Sequence, residues 1–341
     1  NTFYCNSMAN PHLKWEKTTS YNIGLDFTTL GGRLGGGIDI YHKSTTDLLN
    51  DRQLPTIIGY PSVKSNIGEV WNRGVELSLH STNIQNNVLT WRTTFNLAYN
   101  KNTIKHLYGV MEDVKDENGN VIGQKEANDI DKGYFIDHAL DEVWSFKFIG
   151  VWQENEREEA AKYGQIPGDP KILDVDKNYK YSNDDKVFLG NTTPKVRWNM
   201  RNEFTIFKNF DISFSMYSYL GHIKKQNRFT NNNALLNTVN QIKCDYWTAE
   251  NPINDYPRLS AKSPSGITYY IYKKASFMRI DNLSFGYSFP KNLLKPVKLE
   301  ALRLNLTVKN LGYFTGWPAY DPEHSDANTP RTVTFGINMT L

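Results

Sequence analysis

The most constraining feature of the sequence is an apolar side chain at every second position, repeated in nine separate segments. In the last segment Val333, Phe335, Ile337, Met339 and Leu341 alternate with small or polar residues up to the final position. A period of two is that of a β-strand with one apolar face and one polar face. The sequence therefore predicts an all-β protein in which the nine segments are strands.

The connections between the predicted strands alternate between short and long. The short connections are at about 28–33, 83–87, 207–209 and 290–299, and the long ones are at about 49–69, 103–193, 222–276 and 315–330. A transmembrane antiparallel β-barrel has tight turns on the periplasmic side and long loops outside, whereas a soluble sandwich has no reason to alternate. Nine strands cannot close an even-stranded barrel, so residues 1–341 are expected to be the C-terminal part of a larger one.

The composition removes several other classes of protein. The net charge of +3, with 39 basic and 36 acidic residues, gives no electrostatic argument for nucleic acid binding. The sequence has no run of about 18 apolar residues that would predict a membrane helix. Two cysteines are too few for a disulfide-rich scaffold.

Several short motifs follow one another in the order typical of one protein family. They lie at residues 10–16, 66–76, 247–252, 256–259, 276–287, 320–323 and 330–332. Two of them read NIGEVWNRGVE (66–76) and SFMRIDNLSFGY (276–287). Through these motifs the chain resembles the C-terminal barrel portion of the SusC/RagA-type TonB-linked outer-membrane transporters of the Bacteroidetes.

The resemblance implies a barrel of about 22 strands around an N-terminal plug. The plug, the segment that contacts TonB and the preceding barrel strands are expected to lie outside this chain. It also implies a multi-pass location in the bacterial outer membrane, outer-membrane lipids around the wall, a SusD-like surface lipoprotein as a lid, and TonB acting on the plug. Transporter–lid pairs of this family often form dimers.

The function that the resemblance implies is TonB-dependent import of a nutrient, an oligosaccharide first and an oligopeptide next. The alternative is a secreted soluble β-sheet carbohydrate-binding protein, because a solvated sheet face also explains the polar positions Asp39, Arg92, Arg201 and Arg303. No enzymatic activity and no required cofactor are expected. The seven histidines contain no i, i+4 pair, and the acidic cluster at 154–159 favours an exposed helix.

Four aromatic residues of the long loops are candidates for contact with the substrate: Trp144, Trp152, Tyr246 and Trp247. Aromatic faces stack on sugar rings or on peptide side chains. The alternative for these residues, which the sequence favours, is packing within the loops or contact with the lid. Four other tryptophans are better placed in the interfacial belt of a barrel, namely Trp15, Trp71, Trp91 and Trp198.

Residues 174–185 have the ligand spacing of a calcium loop. Oxygen-bearing side chains stand at the first, third, fifth, ninth and twelfth positions, as Asp174, Asp176, Asn178, Ser182 and Asp185. Tyr179 occupies the position where the sharp turn favours Gly, and Asp185 replaces the bidentate Glu. The sequence leaves two interpretations open: a bound Ca²⁺, or a polar extracellular loop without the ion.

Three local features give further expectations. Residues 110–127, with Asn118-Gly119 as a hairpin turn, form an insertion relative to the family. Cys5 and Cys244 both fall on the loop side, where either a disulfide or two separate thiols would fit. The resemblance assigns the terminal strand, with Val333, Phe335, Ile337, Met339 and Leu341, to recognition by the barrel-assembly machinery, although Leu341 replaces the usual terminal aromatic residue.

Overall fold

The computed structural model describes residues 8–54, 56–60, 62–226, 245–259, 261, 263–324 and 327–341. Its strands are β1 (Lys17–Thr29), β2 (Leu34–Gln53), β3 (Ser62–Gln85), β4 (Leu89–His106), β5 (Met111–Lys115), β6 (Val121–Glu126), β7 (Glu142–Phe146), β8 (Phe148–Val151), β9 (Pro170–Ile172), β10 (Lys186–Asn191), β11 (Val196–Ile206), β12 (Phe210–Leu220), β13 (Ile223–Gln226), β14 (Ile271–Lys274), β15 (Phe277–Ser288), β16 (Ala301–Thr315) and β17 (Thr332–Thr340). The α-helices are α1 (Arg157–Lys162) and α2 (Lys291–Leu294), and 3-10 turns lie at Leu30–Gly32, Thr56–Ile58, Glu154–Glu156, Asn183–Asp185 and Lys295–Val297. No helix within these ranges is long and apolar enough to cross a membrane.

Nine of the described strands form one sheet, in the order β1-β2-β3-β4-β11-β12-β15-β16-β17. The strand pairs whose register is described run antiparallel. The nine predicted strands are therefore confirmed. The other strands pair two by two within the long connections, as β5-β6, β7-β10, β8-β9 and β13-β14.

The chain divides into two compact units, Asn1–Asn83 with Arg92–Asp141, and Ile84–Trp91 with Glu142–Leu341. In the first unit the predicted apolar side chains lie in rows across one face of β1, β2 and β3. Two of these rows are Ile23, Ile40, Val75 and Leu25, Ile38, Leu77. Asp39 and Glu76 are paired on the opposite face. A slip of either strand by one residue would move its carboxylate into the apolar face, so the register is strongly specified.

The predicted loop at 49–69 is mostly strand in the structure. β2 continues to Gln53 and β3 begins at Ser62, with Leu49 paired to Asn66. The connection between the two strands is therefore residues 54–61. The prediction was too long because it followed the apolar alternation, whereas backbone hydrogen bonds can continue a ladder where neither face is apolar.

The second unit confirms two local expectations. Ile280 is paired with Met216 and Asn282 with Ser215, so Asp281 is an extra residue and the strand has a bulge at the predicted place near Asn282. The turn between β11 and β12 is tight, with positive φ at Phe207 and Lys208. Positive φ at both central residues is the geometry of a type I′ hairpin turn.

The connection from β4 to β11 contains strands β5 to β10 and helix α1 rather than irregular loop alone. Part of it belongs to a small hydrophobic core of the second unit, formed by Phe146, Ile172, Tyr269 and Ile271. Two of these residues come from the connection 142–195 and two from the connection between β12 and β15. The two longest connections of this unit therefore pack on each other and share buried side chains.

Candidate functional site

The long connections position the four aromatic residues that the sequence nominates for substrate contact. Trp144 lies in β7, half-buried, with Lys186 Nζ 4.6 Å from the centre of its ring. Tyr246 is 37% exposed, whereas Trp152 and Trp247 are only 3% and 7% exposed. The structure therefore separates two accessible candidates from two buried ones.

The two buried tryptophans make contacts within the loops. Trp152 Nε1 donates a hydrogen bond to Gln165 Oε1 at 3.0 Å, and Trp247 Nε1 donates one to Gln153 Oε1 at 3.0 Å. A Cβ atom on Gly168 would come 2.4 Å from Trp247 Cε3, so the indole fills the space that this glycine leaves. Their burial supports the packing interpretation for Trp152 and Trp247 and removes the ring faces that a sugar would need.

The candidate calcium loop brings three of its five predicted ligands together. Carboxylate oxygens of Asp174, Asp176 and Asp185 all lie within 4.8 Å of one another, the one such group of potential metal ligands among the described residues. Asn178 instead donates its side-chain amide to Asp176 Oδ2 at 2.6 Å, and Ser182 Oγ accepts a hydrogen bond from the Asp184 N–H at 3.0 Å. These two side chains are engaged in hydrogen bonds inside the loop.

The backbone of this loop has the sharp turn that a calcium loop requires. Tyr179, at the usual Gly position, has a φ of 64°, and its N–H donates a hydrogen bond to Asp174 Oδ2 at 2.9 Å. Positive φ is costly for any residue with a side chain. Desolvation, together with the neighbouring carboxylates of Asp174 and Asp185, raises the pKa of Asp176. Crowded carboxylates of this kind fit a hard divalent cation.

A buried ion pair that the sequence does not predict joins strand β15 to the connection between β16 and β17. The guanidinium of Arg279 hydrogen-bonds to Asp321 Oδ1, and the two side chains are 2% and 0% exposed. Asp321 Oδ2 also accepts a hydrogen bond from Thr329 Oγ1 at 2.6 Å. This connection is therefore fixed to the sheet by charge rather than by apolar packing alone.

Further polar groups extend this ion pair into a network. Arg279 Nη2 lies 3.6 Å from Glu323 Oε2, which accepts a hydrogen bond from the Tyr217 hydroxyl at 2.6 Å. Lys224 Nζ donates to the backbone carbonyl of Glu323 at 2.9 Å. Arg279 and Asp321 belong to two of the family motifs quoted above, but the sequence does not show that two motifs about forty residues apart pair with each other.

Charged side chains predicted on the polar face are paired along the sheet. Arg303 Nη1 lies 2.8 Å from Asp211 Oδ2, and Arg201 Nη2 lies 2.7 Å from Glu203 Oε1. All four residues alternate with the apolar residues of their strands and so lie on the opposite face of the sheet. This is the pattern expected for the lumen of a barrel, where charge is tolerated.

The features considered for catalysis form ordinary surface structure. The acidic cluster forms the 3-10 turn Glu154–Glu156 and the first turn of α1, as predicted, and Glu154, Glu156 and Glu159 pair with basic neighbours.

The predicted hairpin turn at Asn118-Gly119 is confirmed by β5 and β6, with Gly119 at a φ of 84°. Cys5 and Cys244 lie outside the described residues.

The comparison with known protein families assigns the chain to one family. Residues 1–311 match the family described as TonB dependent receptor-like, beta-barrel. The chain belongs to this family. Its members are outer-membrane proteins, which places the nine-stranded sheet in the bacterial outer membrane and confirms the predicted barrel class.

Curated relatives of this TonB-dependent receptor domain are longer than the chain. TonB-dependent receptor P3 of Formosa agariphila is 31% identical over 353 residues, covering 97% of this chain and 35% of that protein. TonB-dependent receptor SusC of Bacteroides thetaiotaomicron is 30% identical over 351 residues, covering 100% of this chain and 33% of that protein. The chain thus spans about a third of the length of these relatives.

Solved structures of the same fold agree with the assignment. The structure described as the RagAB peptide transporter superposes with a TM-score of 0.73 at 22% identity, covering 100% of this chain and 38% of that chain. A second RagAB structure, described as the peptide importer in the open-open state, gives a TM-score of 0.70 at 24% identity and covers 98% of this chain and 36% of that one. The SusC/RagA resemblance read from the sequence is therefore confirmed.

Proposed function

We propose that this chain forms the C-terminal wall and extracellular loops of a TonB-dependent importer of an oligomeric nutrient. The observation that carries the proposal is a nine-stranded sheet of the barrel family whose strands are joined alternately by short turns and by longer connections. Such a wall separates lipid from a polar lumen, and the loops stand where a nutrient arrives. The plug and the preceding strands of the same transporter would complete the barrel, and TonB would act through the plug.

The proposed substrate is an oligosaccharide, with an oligopeptide as the second candidate. A relative at 30% identity is TonB-dependent receptor SusC, and the structural neighbour RagAB is described as a peptide transporter. Tyr246 and Trp144, the two of the four candidate aromatic residues that are not buried, are the proposed contacts because sugars and peptides both stack on aromatic rings. The proposed partner is a SusD-like lipoprotein that covers the loops, and two transporter–lid pairs are proposed to assemble as a dimer.

Mass spectrometry of the complete transporter, purified in mild detergent from native outer membranes, tests the proposal. We expect a surface lipoprotein and a bound glycan to co-purify, with a mass equal to two transporter–lid pairs. An unrelated outer-membrane protein carrying the same tag is the control for carry-over. A bound peptide would replace the glycan as substrate, and recovery of the protein alone in the aqueous fraction would favour the soluble carbohydrate-binding alternative.

We also propose that residues 174–185 bind Ca²⁺ on the extracellular side. Asp174, Asp176 and Asp185 would supply carboxylate oxygens, and the ion would relieve the repulsion among them. The cation would fix the loop and would take no part in a reaction. No catalytic step is proposed for the chain, in keeping with a family of receptors.

Replacing Tyr179 by Gly is expected to raise the affinity for Ca²⁺ about fivefold. The reason is that a residue with a side chain disfavours positive φ by about 1–2 kcal/mol, whereas glycine adopts it readily. The loop conformation that binds the ion would therefore be more populated with glycine at this position. Isothermal titration of the full transporter with CaCl₂ measures the change, and Asp174→Asn is the control in which binding should be lost. The absence of any calcium-dependent heat in the natural protein and in the Gly variant would exclude the site.

A further inference from the structure

The outer face of the first unit has basic side chains directly beyond its apolar rows. His42 is paired with Tyr21 on one side and with Arg73 on the other, in the row that follows Ile23, Ile40 and Val75. Lys101 and Lys105 continue the odd-numbered series of β4 that contains Leu97 and Tyr99. These basic residues lie toward the ends of the strands that lead into the long connections, which in a barrel is the extracellular side.

An aromatic ring lies among these basic side chains. The Arg73 guanidinium is 4.4 Å from the centre of the Trp71 ring, and Lys105 Nζ is 4.9 Å from it. Arg73 Nε also donates a hydrogen bond to His42 Nδ1 at 3.2 Å. We call the side chains of His42, Trp71, Arg73, Lys101 and Lys105 the basic rim.

The positive charge of the basic rim is only partly compensated. Lys105 pairs with Asp137, and Glu69, on the same face, accepts hydrogen bonds from Trp71 Nε1 and Ser44 Oγ. Arg73 and Lys101 are exposed, and neither forms a salt bridge with a carboxylate in the part of the chain that the structure describes. Two cations therefore remain available at the outer edge of the lipid-facing surface.

We propose that the basic rim binds the headgroup phosphate of a phosphorylated glycolipid in the outer leaflet of the outer membrane. Arginine and lysine are the usual phosphate-binding side chains, and the guanidinium also offers a pair of parallel donors. The acyl chains of such a lipid would lie along the apolar rows that begin at Ile23, Ile40 and Val75. Trp71 stands at the level where aromatic side chains meet lipid headgroups.

The position of the basic rim favours a lipid over a free anion. Its row is continuous with the apolar face, so one molecule with a phosphate and acyl chains satisfies both parts of the surface. A soluble phosphate would use the cations alone. On the opposite face of the same strand Lys43 lies 5.0 Å from the centre of the Tyr41 ring, and we expect it to have no part in lipid binding.

Native mass spectrometry of the full transporter in nanodiscs tests the proposal, with phosphorylated lipid A and dephosphorylated lipid A as the two probes. We expect the natural protein to retain the phosphorylated form preferentially. In the double variant Arg73→Gln with Lys101→Gln, retention is expected to weaken about 25-fold, since each basic residue beside an anionic lipid surface contributes about a factor of five. The matched control is Lys43→Gln, which removes one charge from the neighbouring position on the other face.

The outcomes separate the lipid from its alternatives. Equal retention of the two lipids by the natural protein, which requires no variant, would overturn the proposal. Displacement of lipid A by millimolar inorganic phosphate would assign the basic rim to free anions and would also overturn it. If the double Gln variant fails to assemble, Arg73→Lys with Lys101→Arg keeps the charges, and normal lipid retention by that variant supports the proposal whereas loss contradicts it.

Discussion

Replacing Leu304 by Arg is expected to prevent the full transporter from accumulating as a folded barrel in the outer membrane. Leu304 lies on the apolar face of β16, between Tyr287 of β15 and Ile337 of β17. An arginine on the lipid-facing surface costs about 2–4 kcal/mol near the midplane of the membrane. That is a large part of the total stability of about 5–15 kcal/mol that most domains have. Heat-dependent migration of the outer-membrane fraction in gels measures how much folded barrel is present.

The matched control for this substitution is Thr334→Arg in the neighbouring strand. Thr334 is exposed and is paired with Thr307 on the face opposite to that of Leu304. Because charge is tolerated on the lumen side of a barrel, this variant is expected to accumulate normally. If the Leu304→Arg protein accumulated as well as the Thr334→Arg protein, the apolar face would not be in contact with lipid, and the soluble alternative would be preferred.

The features that the sequence predicted correctly are those that local chemistry dictates. A strand in lipid needs an apolar side chain at each second position, so nine strands could be located from the pattern, and the parity change near Asn282 located the bulge. Asn118-Gly119 predicted a hairpin because few residue pairs accept positive φ so readily. Outside the apolar band the pattern ends, and there the extension of β2 and β3 was missed.

The features that the sequence could not predict depend on contacts between distant segments. For Trp152 and Trp247 the sequence favours packing within the loops over substrate contact, but it does not show which segments they meet; in the structure both are buried and donate hydrogen bonds to Gln165 and Gln153. In the terminal strand, by contrast, the sequence pattern alone was sufficient: the five apolar residues at alternate positions from 333 to 341 are exposed on one face, as predicted. Local alternation fixes which face a side chain is on, whereas burial in a loop depends on which other segment covers it.

Replacing Asp321 by Asn is expected to detach the connection between β16 and β17 from the sheet, at a cost of about 3–5 kcal/mol. The variant leaves Arg279, which is 2% exposed, as a buried charge without its main counter-ion. Arg279 would keep its hydrogen bond to Asn310 Oδ1 and the more distant Glu323 carboxylate, at 3.6 Å, but its Nε has no hydrogen-bond partner among the described residues, so the compensation that remains is incomplete. Faster hydrogen exchange at residues 316–324 and 327–331 of the full transporter, with the barrel strands still protected, is the expected measurement.

The control is Glu112→Gln, which breaks the exposed pair of Lys125 Nζ and Glu112 Oε1 at 3.2 Å and should leave hydrogen exchange of the sheet unchanged.

The pH dependence of this connection gives an independent check. Burial raises the pKa of Asp321, but hydrogen bonds from Thr329, from the Glu323 N–H and from Arg279 outweigh it and lower the pKa to about 2. Because the carboxyl pKa is lower in the folded state, the ionised carboxylate stabilises that state fully above the unfolded-state pKa of about 3.9. This stabilisation is lost as the pH falls through the folded-state pKa of about 2. Protection of the connection should therefore be constant from about pH 5 upward and decline only in strong acid, and a decline near neutral pH would show that another group holds it.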